Sequence, residues 1–426
     1  MNNYFVEPTF IYGNIDGTNT EVKWLIECLE KNCLVFKKLI GRSRIKDIKT
    51  CDCSNGKGFI SKVYKVSILF EKKDILPYQV IIKIPCLEKV KQSCTLQKVQ
   101  SKNAVLNADM VQALHLRECE FYETFTCIKS LKYPDCYGTR EWNYGKQEGV
   151  IILKYLGDIG VSNDFFKSFN LQQMENLFTQ ILYLQSHFLT SNDETRLEKF
   201  PNLFKPERVV LRQPLFRKNW KLIKSFIDDN LWKNIDEDVQ TLIDNIYYII
   251  KYVTQDLLAL EGNSYTFVMG DLWNFNILHQ KNENNEAGDE ICGIIDWQTF
   301  HCGSIGSDLA RSIVICTDHV LRKEVIEWEL LPNYYTNLKN EVESRGSHFK
   351  ITWDMFKLNY DFCFIVQTFQ LLYISGLILH TQNAPIEKGN EIWDARKKET
   401  GLKVYHAFND SIQIAKRLRP EFLIIK

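Results

Sequence analysis

The chain has no surplus of charge of either sign. Lys and Arg total 53, Asp and Glu total 53, and the formal net charge is +0. No long basic run stands out, which argues against nucleic acid as a partner, because a polyanion calls for clustered positive charge. A matched set of cysteine pairs is also missing. Cys51 and Cys53 are too close for half of a zinc site, which needs a C-x₂₋₄-C pair and a second pair to match. The 13 cysteines are odd in number and scattered, mostly among apolar neighbours. That argues against a disulfide framework, and a reducing, cytoplasmic location is expected. The first residues, Met1-Asn2-Asn3-Tyr4-Phe5-Val6-Glu7, lack a basic stretch followed by an apolar core, so no signal peptide is expected. Internal repeats and low-complexity tracts are absent.

What remains is 426 residues at 45% hydrophobic, enough for one large two-lobed unit or two to three domains. Phe362 to Leu379 carries no charge and is about long enough to count as a membrane-span candidate. Gln367, Thr368, Gln370 and Ser375 interrupt it, and no basic cluster flanks its C-terminal end. It reads as a buried helix of a large lobe, with no membrane span expected.

Periodicity divides the chain near residue 157. Glu21 to Ile40 carries a helical stripe of Val22, Leu25, Leu29, Phe36 and Leu39. The period then drops towards two, with strands expected at Ile45–Cys53, Phe59–Phe70 and Tyr78–Ile84 and a Gly-containing turn at Ser54–Gly58. A helix follows over about Ala108–Ile128, then strands at Cys136–Trp142 and Gly149–Tyr155. This predicts an N-terminal lobe, residues 1–156, made of an antiparallel sheet with one main helix and preceded by the N-terminal helix. Residues 157–426 read as a larger, mostly helical lobe, with helices at Leu171–Leu189 and about Val239–Leu260 and a solvated hairpin tip at Lys281–Glu290. The fold class is α+β.

The chemistry concentrates in Val268-Met269-Gly270-Asp271-Leu272-Trp273-Asn274-Phe275-Asn276-Ile277-Leu278, followed after a polar insert by Cys292-Gly293-Ile294-Ile295-Asp296-Trp297-Gln298. An Asp, an Asn five residues on and a second Asp closing an apolar strand are the minimal equipment for phosphoryl transfer. Asp271 takes or orients a hydroxyl proton, with Gly270 allowing the sharp turn before it. Asn276 and Asp296 offer hard oxygens to Mg²⁺ on the phosphates of ATP. A carboxylate ending a buried strand is costly unless paired or metal-bound.

The D-x-x-x-x-N spacing and the I-I-D-W-Q strand end resemble the aminoglycoside phosphotransferase and choline kinase group, relatives of the protein-kinase fold. The fuller text, G-D-L-W-x-x-N-I-L, then I-I-D-W-Q, then D-L-A-R, is similar to the CHK kinase-like (ecdysteroid kinase-like) family of small-molecule kinases, over about residues 50 to 420. The resemblance implies a two-lobed, protein-kinase-like fold. It makes Lys83, in Val80-Ile81-Ile82-Lys83-Ile84, the lysine on nucleotide phosphates. Its partner is Glu118, with Glu120 as the neighbouring competitor on another helix face. The turn holding Gly56 and Gly58 would fold over the phosphates with backbone N–H groups, and backbone near Tyr155 and Leu156 would bind adenine. Asp308, opening the D-L-A-R helix, is expected to cap that helix or anchor the loop after the metal Asp.

One departure matters: Met269 stands where the family has a His that braces the catalytic loop, and Met cannot make those hydrogen bonds. The expected activity is ATP-dependent transfer of the γ-phosphoryl group to a hydroxyl on a small, apolar, steroid-like molecule. The alternative is an impaired, kinase-like protein that binds nucleotide or ligand without turnover. A protein kinase fits worse. No Arg precedes Asp271, Trp297-Gln298 follows Asp296 instead of Phe-Gly, and Ala384-Pro385-Ile386-Glu387 is a broken and distant Ala-Pro-Glu. The aromatics Trp353, Phe356, Tyr360, Phe362, Phe364, Phe369 and Tyr373 could cage a quaternary ammonium or line an apolar pocket, but core packing explains them more simply.

Overall fold

The computed structural model describes residues 12–53, 60–88, 107–125, 128, 130–191, 193, 195–381 and 389–425. The chain forms two compact units. The first comprises Met1–Ser93, Leu106–Thr126 and Tyr133–Asp158; the second comprises Cys94–Val105, Cys127–Lys132 and Ile159–Lys426.

The first unit opens with α1 (Val22–Asn32) and α2 (Leu34–Ile40) and continues with β1 (Ile45–Asp52), β2 (Ser61–Phe70) and β3 (Tyr78–Pro85). Helix α3 (Ala108–Thr124) precedes β4 (Cys136–Arg140) and β5 (Val150–Lys154). The strands form one antiparallel sheet in the order β1-β2-β3-β5-β4. Strand side chains alternate between faces, so Val66, Ile68, Val80, Ile82, Val150 and Ile152 share one core with Leu25, Leu29 and Phe36 from the two N-terminal helices. The same alternation puts Ile81 and Lys83 on the opposite face. The single helix expected over Glu21–Ile40 is two. Cys33 adopts extended backbone between them, and its Sγ accepts the Phe36 N–H at the start of the second.

The second unit contains β6 (Gly160–Ser162), α4 (Leu171–Thr190), α5 (Gln213–Lys224), β7 (Tyr265–Val268), β8 (Ile277–Lys281), β9 (Ala287–Ile294) and β10 (His301–Ser304). Four further helices follow or frame these strands: α6 (Ser307–Cys316), α7 (Leu331–Ser344), α8 (Trp353–Thr381) and α9 (Gly389–Leu418). Strands β6, β8 and β9 form one small sheet, and β7 pairs with β10. The helix expected over Val239–Leu260 breaks at Asn245, which donates its side-chain N–H groups to the carbonyls of Phe422 and Ile424.

Helix α8 is long and apolar enough to cross a membrane by length and composition, yet 78% of its apolar window is buried inside the unit. Its polar residues find partners within the protein. Asn359 accepts from the Ser304 hydroxyl, Thr368 shares a hydrogen bond with Ser411, and Asp361 pairs with Lys357 and Arg417. A lipid-facing helix would leave such groups unsatisfied, so α8 is the core helix of this unit. The aromatics Phe356, Tyr360, Phe362, Phe364 and Phe369 are among the largest fully buried side chains. They pack that core and do not form a cage. An antiparallel five-stranded unit with α3 between β3 and β4, and a larger helical unit after it, is a protein-kinase-like α+β fold.

Candidate active site

In the first unit, the Lys83 ammonium lies 2.5 Å from Glu118 Oε2, with side chains only 12% and 1% exposed. Two charges this buried are tolerated because each neutralises the other. The competitor Glu120 points elsewhere, 3.5 Å from the Arg117 guanidinium, one turn back and 41% exposed. The N-cap Asn107, whose Oδ1 accepts the Met110 N–H, starts the helix that carries Glu118. Burial pulls His115, one turn before Glu118 on the same helix, down to about 4, and its Nε2 lies 2.9 Å from the Arg140 carbonyl. Tyr155 and Leu156 follow β5 directly. Leu156 is buried, and the Lys65 ammonium lies 5.3 Å from the Tyr155 ring. The turn with Gly56 and Gly58 lies outside the described residues.

In the second unit, β7 ends at Val268 and the chain turns through Gly270, whose φ is 82°. That left-handed backbone is open to glycine and strained for other residues. Asp271 follows. Its Oδ2 accepts from Asn276 Nδ2 at 3.1 Å, and the same nitrogen donates to the Asp271 carbonyl at 2.9 Å. The Asn276 amide nitrogen is therefore spent on Asp271, and its oxygen is the atom suited to a cation. The intervening Asn274, fully buried, donates to the carbonyls of Asp164 and Lys167. The β8–β9 hairpin then returns the chain. Ile277 pairs with Ile294, and the Ile295 N–H donates to the Asn276 carbonyl at 2.9 Å. Asp296 comes next, at φ 67° and ψ 63°. The backbone thus brings Asp296 beside Asn276 although twenty residues separate them.

Helix α6 braces this loop. Asp308, with no exposed surface, accepts the N–H of Met269 at 2.7 Å on Oδ2 and of Gly270 at 3.0 Å on Oδ1. Burial pushes its pKa up to about 6, with the two N–H groups and Arg311 opposing and Asp271 reinforcing. It is not an N-cap, because Gly306 holds that position. It anchors the loop before Asp271, whereas the sequence suggested a cap or an anchor for the loop after the metal Asp. Met269 is buried, and its carbonyl accepts from Thr299 Oγ1 at 2.7 Å. Asp308 and Thr299 thus hold the backbone at Met269 and Gly270. Arg311, one turn after Asp308, donates to Asp271 Oδ1 at 2.5 Å. Sequence reading missed that partner. The available signal was the i,i+3 spacing in D-L-A-R, which puts Asp308 and Arg311 on one helix face.

Among the described residues, no group of three or more His, Cys, Asp or Glu side chains gathers as a metal site. One amide oxygen and one carboxylate, as Asn276 and Asp296 offer, fit Mg²⁺, which takes few protein ligands and completes its shell with phosphate and water oxygens. The donor set therefore suits a cation that arrives with a nucleotide.

A two-unit kinase-like fold carrying these loops defines the class of protein. Within it, the chain belongs to the DUF1679 family, described as "Uncharacterized oxidoreductase dhs-27", whose model matches residues 32–416. A relative of that name from Caenorhabditis elegans is 28% identical over 374 residues, covering 85% of this chain and 43% of the worm protein. The chain thus spans under half the length of this curated relative. Among solved structures, a GDP complex of an aminoglycoside 2'-phosphotransferase is 11% identical, with a TM-score of 0.42, covering 89% of this chain and 97% of that one. A microcompartment-associated aminopropanol kinase is 10% identical, with a TM-score of 0.37, covering 92% and 99%.

Proposed function

We propose that this protein is an ATP-dependent phosphotransferase acting on a hydroxyl of a small molecule. One observation carries the reading: the Asn276 amide nitrogen is bonded to Asp271 while the Asn276 carbonyl receives the strand that delivers Asp296. A proton acceptor and two oxygen ligands for a hard cation are thereby built as one hydrogen-bonded piece. In the reaction, the acceptor oxygen attacks the γ-phosphorus of ATP and its proton passes to Asp271. The bond from that phosphorus to the β,γ-bridging oxygen breaks, and ADP leaves with the electron pair. Bound at Asn276 and Asp296, Mg²⁺ would supply charge neutralisation on the phosphates. Lys83, paired with Glu118, is assigned by the resemblance to nucleotide phosphates, and Tyr155, Leu156, Gly56 and Gly58 to the nucleotide. Preorganised charge is the main source of rate in such transfers.

The acceptor we propose is an apolar alcohol. Its support is the resemblance of the motif set, since the aromatics of α8 are committed to the core. A cytoplasmic location fits the eleven described cysteines, which are all free thiols. The worm relative's name includes oxidoreductase, but the alignment covers 43% of that protein, and this chain contains no G-x-G-x-x-G dinucleotide fingerprint.

The test is ADP release with MgATP and a fractionated metabolite extract, with phosphorylated product identified by mass. Asp271→Ala is expected to abolish product with nucleotide affinity retained, and Asp296→Asn to weaken Mg²⁺-dependent nucleotide binding. Tight nucleotide binding by the wild type without phosphorylated product would replace this reading with the non-catalytic one that Met269 raises.

A further inference from the structure

We propose that Arg311 is a positioning residue for phosphoryl transfer, fixing the carboxylate of Asp271, and that Gln367 on α8 fixes Arg311 in turn. This rests on the phosphotransfer reading above. Arg311 Nη2 donates to Asp271 Oδ1 at 2.5 Å, and Nη1 donates to Gln367 Oε1 at 3.3 Å. Asn276 holds the other carboxylate oxygen. With Arg311 on one oxygen and Asn276 on the other, rotation of the carboxylate breaks at least one bond, so its plane is set from both sides. Each oxygen has further lone pairs, and the Asp271 side chain is 26% exposed against 7% for Arg311. The carboxylate is gripped from the protein side and keeps accessible surface for a hydroxyl.

The surroundings show that neutralising a buried cation does not by itself explain Arg311. Every α6 residue from Asp308 to Cys316 is buried, and Arg311 is the cation among them. A buried guanidinium is costly without partners. The nearest carboxylate along the helix is Asp308, one turn earlier, but its oxygens are taken by the backbone N–H groups of Met269 and Gly270. The fork of Arg311 reaches past it to Asp271. Gln367 is 7% exposed and faces Arg311 from α8, where the neighbouring Thr368 is committed to Ser411. Apolar packing would favour Leu or Met there, and the amide oxygen accounts for the polar choice. The Arg311–Gln367 hydrogen bond adds a polar tie between two helices that also pack closely against each other.

The probe is MgATP with water as the acceptor, followed as ADP release alongside direct nucleotide binding, for wild type, R311A, R311K, Q367M, D271N and R311A/D271N. R311A is expected to lower kcat by about 100-fold, the scale of losing one preorganised charge contact, with KM for ATP within about twofold. Millimolar guanidinium restores part of that loss in R311A, and R311K restores less than the full rate because it lacks the fork. Q367M lowers kcat by roughly fivefold, on the scale of about 1 kcal/mol for one neutral hydrogen bond. R311A/D271N is no slower than D271N, because residues acting as a unit are non-additive. Wild-type kcat in R311K and Q367M, or additive losses in the double variant, would overturn the role of Arg311. R311K and Q367M keep that test open if R311A does not fold. Equal turnover in wild type and D271N would instead overturn the phosphotransfer reading itself.

Discussion

At the scale of single residues, buried charge decides which substitutions are costly. Glu118 is 1% exposed and its cationic partner is Lys83. K83M leaves that carboxylate without its counter-charge and is expected to destabilise the protein by about 3–5 kcal/mol, measured by urea unfolding, whereas E118Q costs less because a neutral amide remains. Unchanged stability in K83M would show that the pair is solvated in solution. Asp308 is more exacting, since D308A orphans the N–H groups of Met269 and Gly270 together. Its expected cost is roughly 2–4 kcal/mol by the same measurement, from two buried donors at about 1–2 each. Asp271, Asn276 and Asp296 stood out in the sequence by residue type and spacing, whereas Lys83 and Glu118 entered only through the family resemblance. The i,i+3 spacing of D-L-A-R marks Arg311 as sharing a helix face with Asp308, but its pairing with Asp271, forty residues away, needs the folded chain.

At the scale of elements, the loop carrying Asp271 depends on one backbone conformation. Gly270 sits at φ 82°, and a Cβ there would come within 3.0 Å of the Thr299 carbonyl and 3.2 Å of His301 Cε1. G270A therefore carries the left-handed penalty of roughly 1–2 kcal/mol and a contact that must give. Its expected effect is about 2–3 kcal/mol of stability and at least a tenfold loss of kcat, because the shift falls on the residue before Asp271. A full-rate G270A enzyme would mean the loop relaxes without moving the carboxylate. Strands and the long helices were legible because burial writes a period of two or 3.6 into the sequence. Two helix breaks were not. The apolar stripe continues through Cys33 while the backbone does not. Asn245 stops its helix to hold the carbonyls of Phe422 and Ile424, which are close only once the chain has folded. The kinase-like arrangement was readable from the order of elements, and its bracing was not.

For the whole molecule, a formal charge of +0 leaves acid stability to a few buried groups rather than to general repulsion. His115 in the first unit and His279 in the second are 5% and 0% exposed. Burial, the leading cause in both, lowers each from 6.5 to about 4. The folded state therefore holds these rings neutral where the unfolded chain protonates them. Their contribution is complete above about pH 6.5 and is lost as pH falls towards 4, up to roughly 3 kcal/mol each. Asp308 runs the other way. Its pKa is raised from 3.8 to about 6, so the folded state takes up a proton first and this contribution shrinks as pH rises through that window. His406, which burial also lowers to about 4, acts with these rings, while burial raises Asp361 on the side of Asp308; the wider histidine shifts leave a net loss of stability between pH 6.5 and 4. His279 is the cleaner test, since neither ring nitrogen makes a well-formed hydrogen bond and the ring packs edge-on against Phe169 with centroids 4.9 Å apart. H279L should leave stability at pH 7 unchanged or higher, because a buried ring with only a loose contact to the Asp289 backbone is replaced by an apolar side chain. It should also flatten the decline between pH 6.5 and 4 by about one proton's worth of slope in urea unfolding at stepped pH. A variant with the wild-type slope would mean that His279 is protonated in the folded state or reached by water.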